Sequence, residues 1–185
     1  MPHIDLNNDH PGILGLFHYR PETARPLTEL GEILLRGHNT LSRGERELIA
    51  TYVSSGNDCS FCTASHGEMA AHQLDEGRGL VDSVCTDIDK AEVSPKMRSL
   101  LRIAGSVRES GNAVTAQHVT EAREAGASDL EIHDTILIAA AFCMYNRYVD
   151  GLAAVTPDDP AAYNALANTI IQHGYLSGLP EHKPA

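Results

Sequence analysis

The stretch from Ser42 to His66, SRGERELIATYVSSGNDCSFCTASH, decides how the chain is read. Ser42 and Glu45 form a capping box, in which the Ser hydroxyl and the Glu carboxylate each satisfy a backbone N–H at a helix start. The helix they open is expected to run to about Ser54. Leu48, Ile49, Tyr52 and Val53 give it one apolar face, and Glu47, Ala50, Thr51 and Ser54 a second face of mostly small residues. Small side chains admit a close neighbour, so Glu47 is expected to be covered. Gly56-Asn57-Asp58 ends this helix and supplies an N-cap for another, expected from about Cys59 to about Asp75. Both cysteines of Cys59-Ser60-Phe61-Cys62 then lie in a first turn, and His66 follows four residues after Cys62.

Working outward, helical spacing recurs on both sides. Leu27, Leu30, Ile33 and Leu34 predict a helix from about Pro26 to Arg36, closed by Gly37. Before it, residues 1–25 read as an N-terminal arm that docks by Ile13, Leu14, Leu16 and Phe17. Residues 76–93 predict only a short helix around Leu80 to Val84 and an acidic loop. Ser94-Pro95 starts a helix with Met97, Leu100, Leu101, Ala104 and Val107 at core spacing, and Thr115 caps a short one ending at Gly126. Ser128-Asp129-Leu130-Glu131 is a second capping box, opening a long helix to about Asp150 with a core stripe of Ile132, Ile136, Ala139, Ala140 and Cys143. A last helix carries Tyr163, Leu166, Ala167, Ile170 and Ile171, and residues 175–185 read as a loose tail. No segment alternates like a strand. The expected fold is all-α, one helical domain over residues 26–174 made of two packed helical halves.

Composition narrows the function. A length of 185 residues suits one domain, and 42% hydrophobic with 21% charged residues suits a soluble globular protein. A formal charge of -11, without a Lys/Arg cluster, excludes nucleic acid and anionic lipid as expected partners. No stretch approaches the ~20 apolar residues of a membrane span, and the N-terminus has no basic, apolar leader, so a cytoplasmic location is expected. Four cysteines are too few for a disulfide-stapled secreted scaffold. Cys85 and Cys143 read as buried small hydrophobes.

The chemistry concentrates in Glu47, Cys59, Cys62 and His66. Cys62 and His66 share a helix face, where imidazole can take a thiol proton, and first-turn placement adds unpaired N–H groups and the positive end of the helix dipole, which favour thiolate. The polar neighbours Asn57, Asp58, Ser60 and Thr63 suggest an accessible helix start. Two vicinal thiols can convert a sulfenic acid into a disulfide that an external dithiol reduces. The residues alone leave open which thiol attacks, since Cys59 lies nearer the helix end and Cys62 nearer His66. Zinc needs four ligands, and one CxxC with one His lacks a second pair unless His72 or Cys85 is recruited, so no metal and no cofactor are expected.

The pattern of Glu47, eleven residues, Cys59-x-x-Cys62, three residues and His66 resembles the alkylhydroperoxidase D-like family within the all-helical carboxymuconolactone decarboxylase superfamily. Leu41 to Ala50 resembles that family's approach to its site, and Ala139 to Gly151 (AAAFCMYNRYVDG) is similar to a second-half helix of the peroxidase-related branch, so the likeness spans about residues 27–155. It implies that Cys62 is the peroxidatic cysteine, Cys59 the resolving one, and His66 with Glu47 the proton relay. It also implies a hydroperoxide substrate, an external dithiol reductant such as a lipoyl protein, and a homo-oligomer, trimer or hexamer. Phe61 removes an extra histidine from that relay. Asn146-Arg147 reads as structural or pocket-lining, or as a helix-end salt bridge. Two other functions fit the residues: a cofactor-free decarboxylase of a lactone acid, and a non-enzymatic redox-responsive oligomeric module.

Overall fold

The computed structural model describes residues 1–179 as helices joined by short loops, with no strand among the described residues. In chain order these are α1 (Gly12–Tyr19), α2 (Pro21–Arg36), α3 (Arg43–Gly56), α4 (Ser60–Gln73), α5 (Gly77–Thr86), α6 (Pro95–Glu109), α7 (Ala116–Glu124), α8 (Asp129–Gly151) and α9 (Pro160–His173). Short 3-10 turns sit at Gly111–Ala113 and Tyr175–Gly178. The all-α expectation holds. No helix among the described residues is long and apolar enough to cross a membrane.

Both capping boxes form, at Ser42/Glu45 and Ser128/Glu131, and Ser94 caps α6 as its spacing predicts. They set the start of α3 and α8, the two helices between which the core is built. Leu48, Ile49 and Val53 of α3 pack with Leu100, Leu101 and Ile103 of α6 and with Ile138 and Phe142 of α8. Each such side chain withdrawn from water contributes roughly 1.5–3 kcal/mol. On the other face of α3, Glu47, Ala50, Thr51 and Ser54 are all buried, and α4 lies against it so closely that a Cβ on Gly67 would stand 3.3 Å from the Thr51 methyl.

Several boundaries differ from the sequence reading, each for a local reason. Helix α2 begins at Pro21, and Pro26 is interior, where its missing N–H costs one hydrogen bond in a helix already started. The α3–α4 junction is a Schellman motif: Cys59 N–H donates to the Ser54 carbonyl and Asp58 N–H to that of Ser55, with Asp58 at φ 59. Asp58 therefore closes α3, and Cys59 itself takes the N-cap position of α4. The stripe of α8 is rotated from the expected one. Ala140 is exposed, Ile136 and Cys143 are half-buried, and the buried face continues through Thr135, Ile138, Phe142, Tyr145 and Val149, because a run apolar on all sides carries no phase. Cys85, expected to be buried, is also only half-buried.

The termini are tied in more firmly than expected. The arm docks through Leu16 and Phe17, as read, and does so as helix α1. The supposedly loose tail opens with the turn Tyr175–Gly178, whose Tyr175 backbone N–H donates to Glu32. The remainder of that tail, residues 180–185, lies outside the described residues.

Candidate active site

Glu47, Cys59, Cys62 and His66 converge. Glu47 comes from the small-residue face of α3, only 2% exposed, and its Oε2 lies 2.7 Å from His66 Nδ1. His66 is on α4, one turn beyond Cys62, with its ring edge-on to Phe142. Cys62 occupies the third position of α4, where backbone N–H groups lack helical partners and the helix dipole is positive. The close approach of Gly67 to Thr51 holds α4 near enough to α3 for Glu47 to reach the imidazole.

The electrostatics separate the two thiols. A hydrogen bond from Cys59 draws the Cys62 thiol below its ordinary range, and the charge of His66 and a hydrogen bond from Asn146 assist against burial and the Asp150 carboxylate. That same contact pushes the Cys59 thiol strongly upward, reinforced by burial and by Asp150. At His66, burial opposes the imidazolium, but the charge and hydrogen bond of Glu47, with the charge of Cys62, outweigh it and raise the ring above its ordinary value. The arrangement can hold a thiolate beside an imidazolium that is backed by a carboxylate.

Asn146 earns a role that its sequence left ambiguous. Its buried amide donates to Ser54 Oγ at 3.0 Å and accepts from Asn57 Nδ2 at 2.9 Å, tying α8 to the α3–α4 junction beside Cys62. Arg147 points outward and, among the described residues, bonds only to the carbonyl of Cys143 one turn earlier.

Two features were invisible in the sequence. The helix start expected to be accessible is sealed: Cys59 is 0% and Cys62 3% exposed, packed with Phe61, Leu6, Leu16, Val149, Ala154 and Tyr163. Gly12 enters α1 at φ +52 against the Phe61 ring, where a Cβ would stand 2.2 Å from a ring carbon, so glycine is required for both reasons. The second is Tyr175, whose hydroxyl donates to Glu47 Oε1 at 2.5 Å. A lone tyrosine after a glycine stop offers no periodicity by which to find it.

Beside Cys62 and His66 lies an apolar cavity of about 90 Å³, walled by Ile13 and Phe17 of α1, Leu35 of α2, Met69, Phe142 and Tyr175 among others. Among the described residues its lining contains no Lys, Arg, Asp or Glu. Among the described residues, no three His, Cys, Asp or Glu side chains are grouped to hold a metal ion.

Comparison with solved structures finds the same fold in the alkylhydroperoxidase AhpD core of an uncharacterized peroxidase-related protein from Ralstonia eutropha JMP134, with TM-score 0.76 and 24% identity over 85% of this chain and 80% of that one. An uncharacterized peroxidase-related protein from Silicibacter sp. TM1040 is similar at TM-score 0.75 and 26% identity, covering 83% of this chain and 78% of that one. No curated protein matches the sequence. The family model of the carboxymuconolactone decarboxylase family matches residues 21–75 and 80–157, most of the length between α2 and α9. The chain belongs to the carboxymuconolactone decarboxylase family.

Proposed function

We propose that this protein is a thiol-dependent peroxidase that reduces hydroperoxides, organic ones in preference to hydrogen peroxide. The observation that carries the reading is Cys62, held as the more acidic thiol by Cys59 and the His66–Glu47 pair at the wall of an apolar cavity. The Cys62 thiolate attacks the terminal oxygen of ROOH. The O–O bond breaks, the alkoxide takes a proton from His66 and leaves as ROH, and Cys62 becomes a sulfenic acid. Cys59 then attacks the Cys62 sulfur. Its thiol proton and the departing hydroxide leave as water, and a Cys59–Cys62 disulfide remains. An external dithiol, which supplies two electrons and two protons, restores both thiols.

An apolar cavity favours an alkyl or aryl group on the peroxide, since burying that group in place of water contributes roughly 25 cal/mol per Å². A lactone-acid decarboxylase is less well served, because among the described residues the lining offers no Lys or Arg to hold a carboxylate.

The test mixes reduced protein with one equivalent of cumene hydroperoxide and follows thiol loss by stopped flow, with mass spectrometry of the peptide spanning both cysteines. The wild type is expected to form an intramolecular disulfide, Cys59→Ser to stop at a sulfenic acid on Cys62, and Cys62→Ser not to react. Thiols that persist for minutes in the wild type would sink the peroxidase reading, and the reverse pattern in the variants would exchange the two roles.

A further inference from the structure

We infer that Tyr175, from the turn that follows the last helix, is a positioning residue for the proton relay, acting through Glu47 to fix His66 opposite Cys62; this rests on the relay reading above. Its hydroxyl has one hydrogen to give. Glu47 Oε1 at 2.5 Å is the nearest acceptor, while Met69 Sδ at 3.2 Å and His66 Nδ1 at 3.4 Å are secondary. Glu47 thus accepts on both oxygens, from the phenol on Oε1 and from the imidazole on Oε2. With Nδ1 committed to Glu47, the His66 nitrogen left to exchange protons at the cavity is Nε2.

The turn is held for this purpose by α2. Glu32 Oε2 accepts the Tyr175 backbone N–H at 2.8 Å, and Glu32 Oε1 accepts from Arg36 Nε at 3.0 Å. Arg36 in turn donates to the carbonyls of Ile170 and Ile171 in the last turn of α9, the first of which also accepts from the Gly174 N–H that closes the helix. Gly174, at φ +81, passes so near Glu32 that a Cβ there would stand 2.9 Å from its carboxylate. The chain is therefore delivered to Glu47 by three anchors that touch no reacting group.

The electrostatic consequence follows from burial. Burial, with the charge and hydrogen bond of Glu47, raises the Tyr175 phenol well above its ordinary range, so it remains a donor throughout. Without that donor, Oε1 is a buried carboxylate oxygen with no partner, which penalises the charged form. The proton shared between Glu47 and His66 shifts toward the carboxylate, and Cys62 loses its imidazolium. The ionisable groups bearing on this cluster are Glu32 and Arg36 of α2, Glu47 of α3, Cys59 at the head of α4, Cys62 and His66 on it, and Asp150 of α8.

The experiment is the pH profile of Cys62 alkylation by iodoacetamide, read on the Cys62 peptide by mass spectrometry, which uses no peroxide. In Tyr175→Phe the midpoint is expected to rise by about one pH unit, with roughly tenfold less alkylation below it and the wild-type plateau regained above it. Tyr52→Phe removes another phenol, one on α3 that lies against Gly105 of α6, and is expected to leave the midpoint in place. Glu32→Gln loosens the turn without altering a relay group and should move the midpoint the same way by less, so the inference is read even if Tyr175→Phe folds poorly. An unmoved midpoint in a folded Tyr175→Phe, or an equal shift in Tyr52→Phe, overturns it. A shifted midpoint in protein that ignores hydroperoxide would leave Tyr175 in place and sink the peroxidase reading alone.

Discussion

Two carboxylates in this molecule are equally hidden, Glu47 and Glu131 at 2% exposure each, and their partners differ in kind. Glu131 accepts from Lys96 Nζ at 2.8 Å, Thr40 Oγ1 at 2.9 Å and the Ser128 backbone N–H at 2.7 Å. These donors are an ammonium, a hydroxyl and a backbone amide. Burial alone would raise the Glu131 carboxyl, but Lys96, Ser128 and Thr40 overcome it and bring it down to about 2. Glu47 is paired instead with His66 and Tyr175, an imidazole that Glu47 holds above its ordinary value against burial, and a phenol within 3.4 Å of it. A buried carboxylate with permanent donors is scaffold, here joining α8 to α6 and the loop before α3; one with a titratable partner can pass a proton.

Substitution at each carboxylate separates the two kinds. Glu131→Ala strands Lys96 and the α8 cap and is expected to cost about 3 kcal/mol in urea unfolding, with no change in the pH profile of Cys62 alkylation. Because the Glu131 carboxyl lies below its ordinary value of 4.5, its contribution is present above that pH and lost as pH falls toward about 2. The variant should accordingly show a shallower acid transition than wild type in circular dichroism. Glu47→Gln should do the opposite: thiol loss to cumene hydroperoxide near pH 7 slower by about a hundredfold, with stability changed by less than about 1 kcal/mol, measured on the same preparation. A large stability loss at Glu47 would make it scaffold too. The smallest effect is expected where a buried polar atom has no partner among the described residues. Thr28 and Thr135 each carry such an Oγ1, and Thr28→Val or Thr135→Val should change the melting free energy by no more than about 1 kcal/mol, in the stabilising direction.

The sequence was most legible where local chemistry decides the structure. Ser42 with Glu45 and Ser128 with Glu131 announce helix starts within four residues, and the small side chains at Ala50, Thr51 and Ser54 foretold that Glu47 would be covered. Phase in the all-apolar run of α8 was not legible, since every face of it satisfies the pattern. Asp58 was mistaken for a cap because Asp serves both at N-caps and in left-handed backbone, and only the bonds to Ser54 and Ser55 distinguish them. Cys59, Cys62 and His66 were readable from spacing because they share one helix, whereas Glu47, on another helix, joined them through the family resemblance. Tyr175, 128 residues from Glu47, and Gly12, 49 from Phe61, depend on tertiary contacts that leave no local trace.

The meeting of Gly12 with Phe61 gives a peroxidase of this build a schedule. In the proposed cycle a hydroperoxide would meet Cys62 from the cavity that it borders, whereas a protein dithiol would meet sulfur atoms covered by the N-terminal segment, at 0% and 3% exposure. Oxidation would then arrive as a single stoichiometric burst, and every later turnover would wait for α1 to lift. The first nineteen residues, remote from the reacting atoms in sequence, would act as the clock of the catalytic cycle.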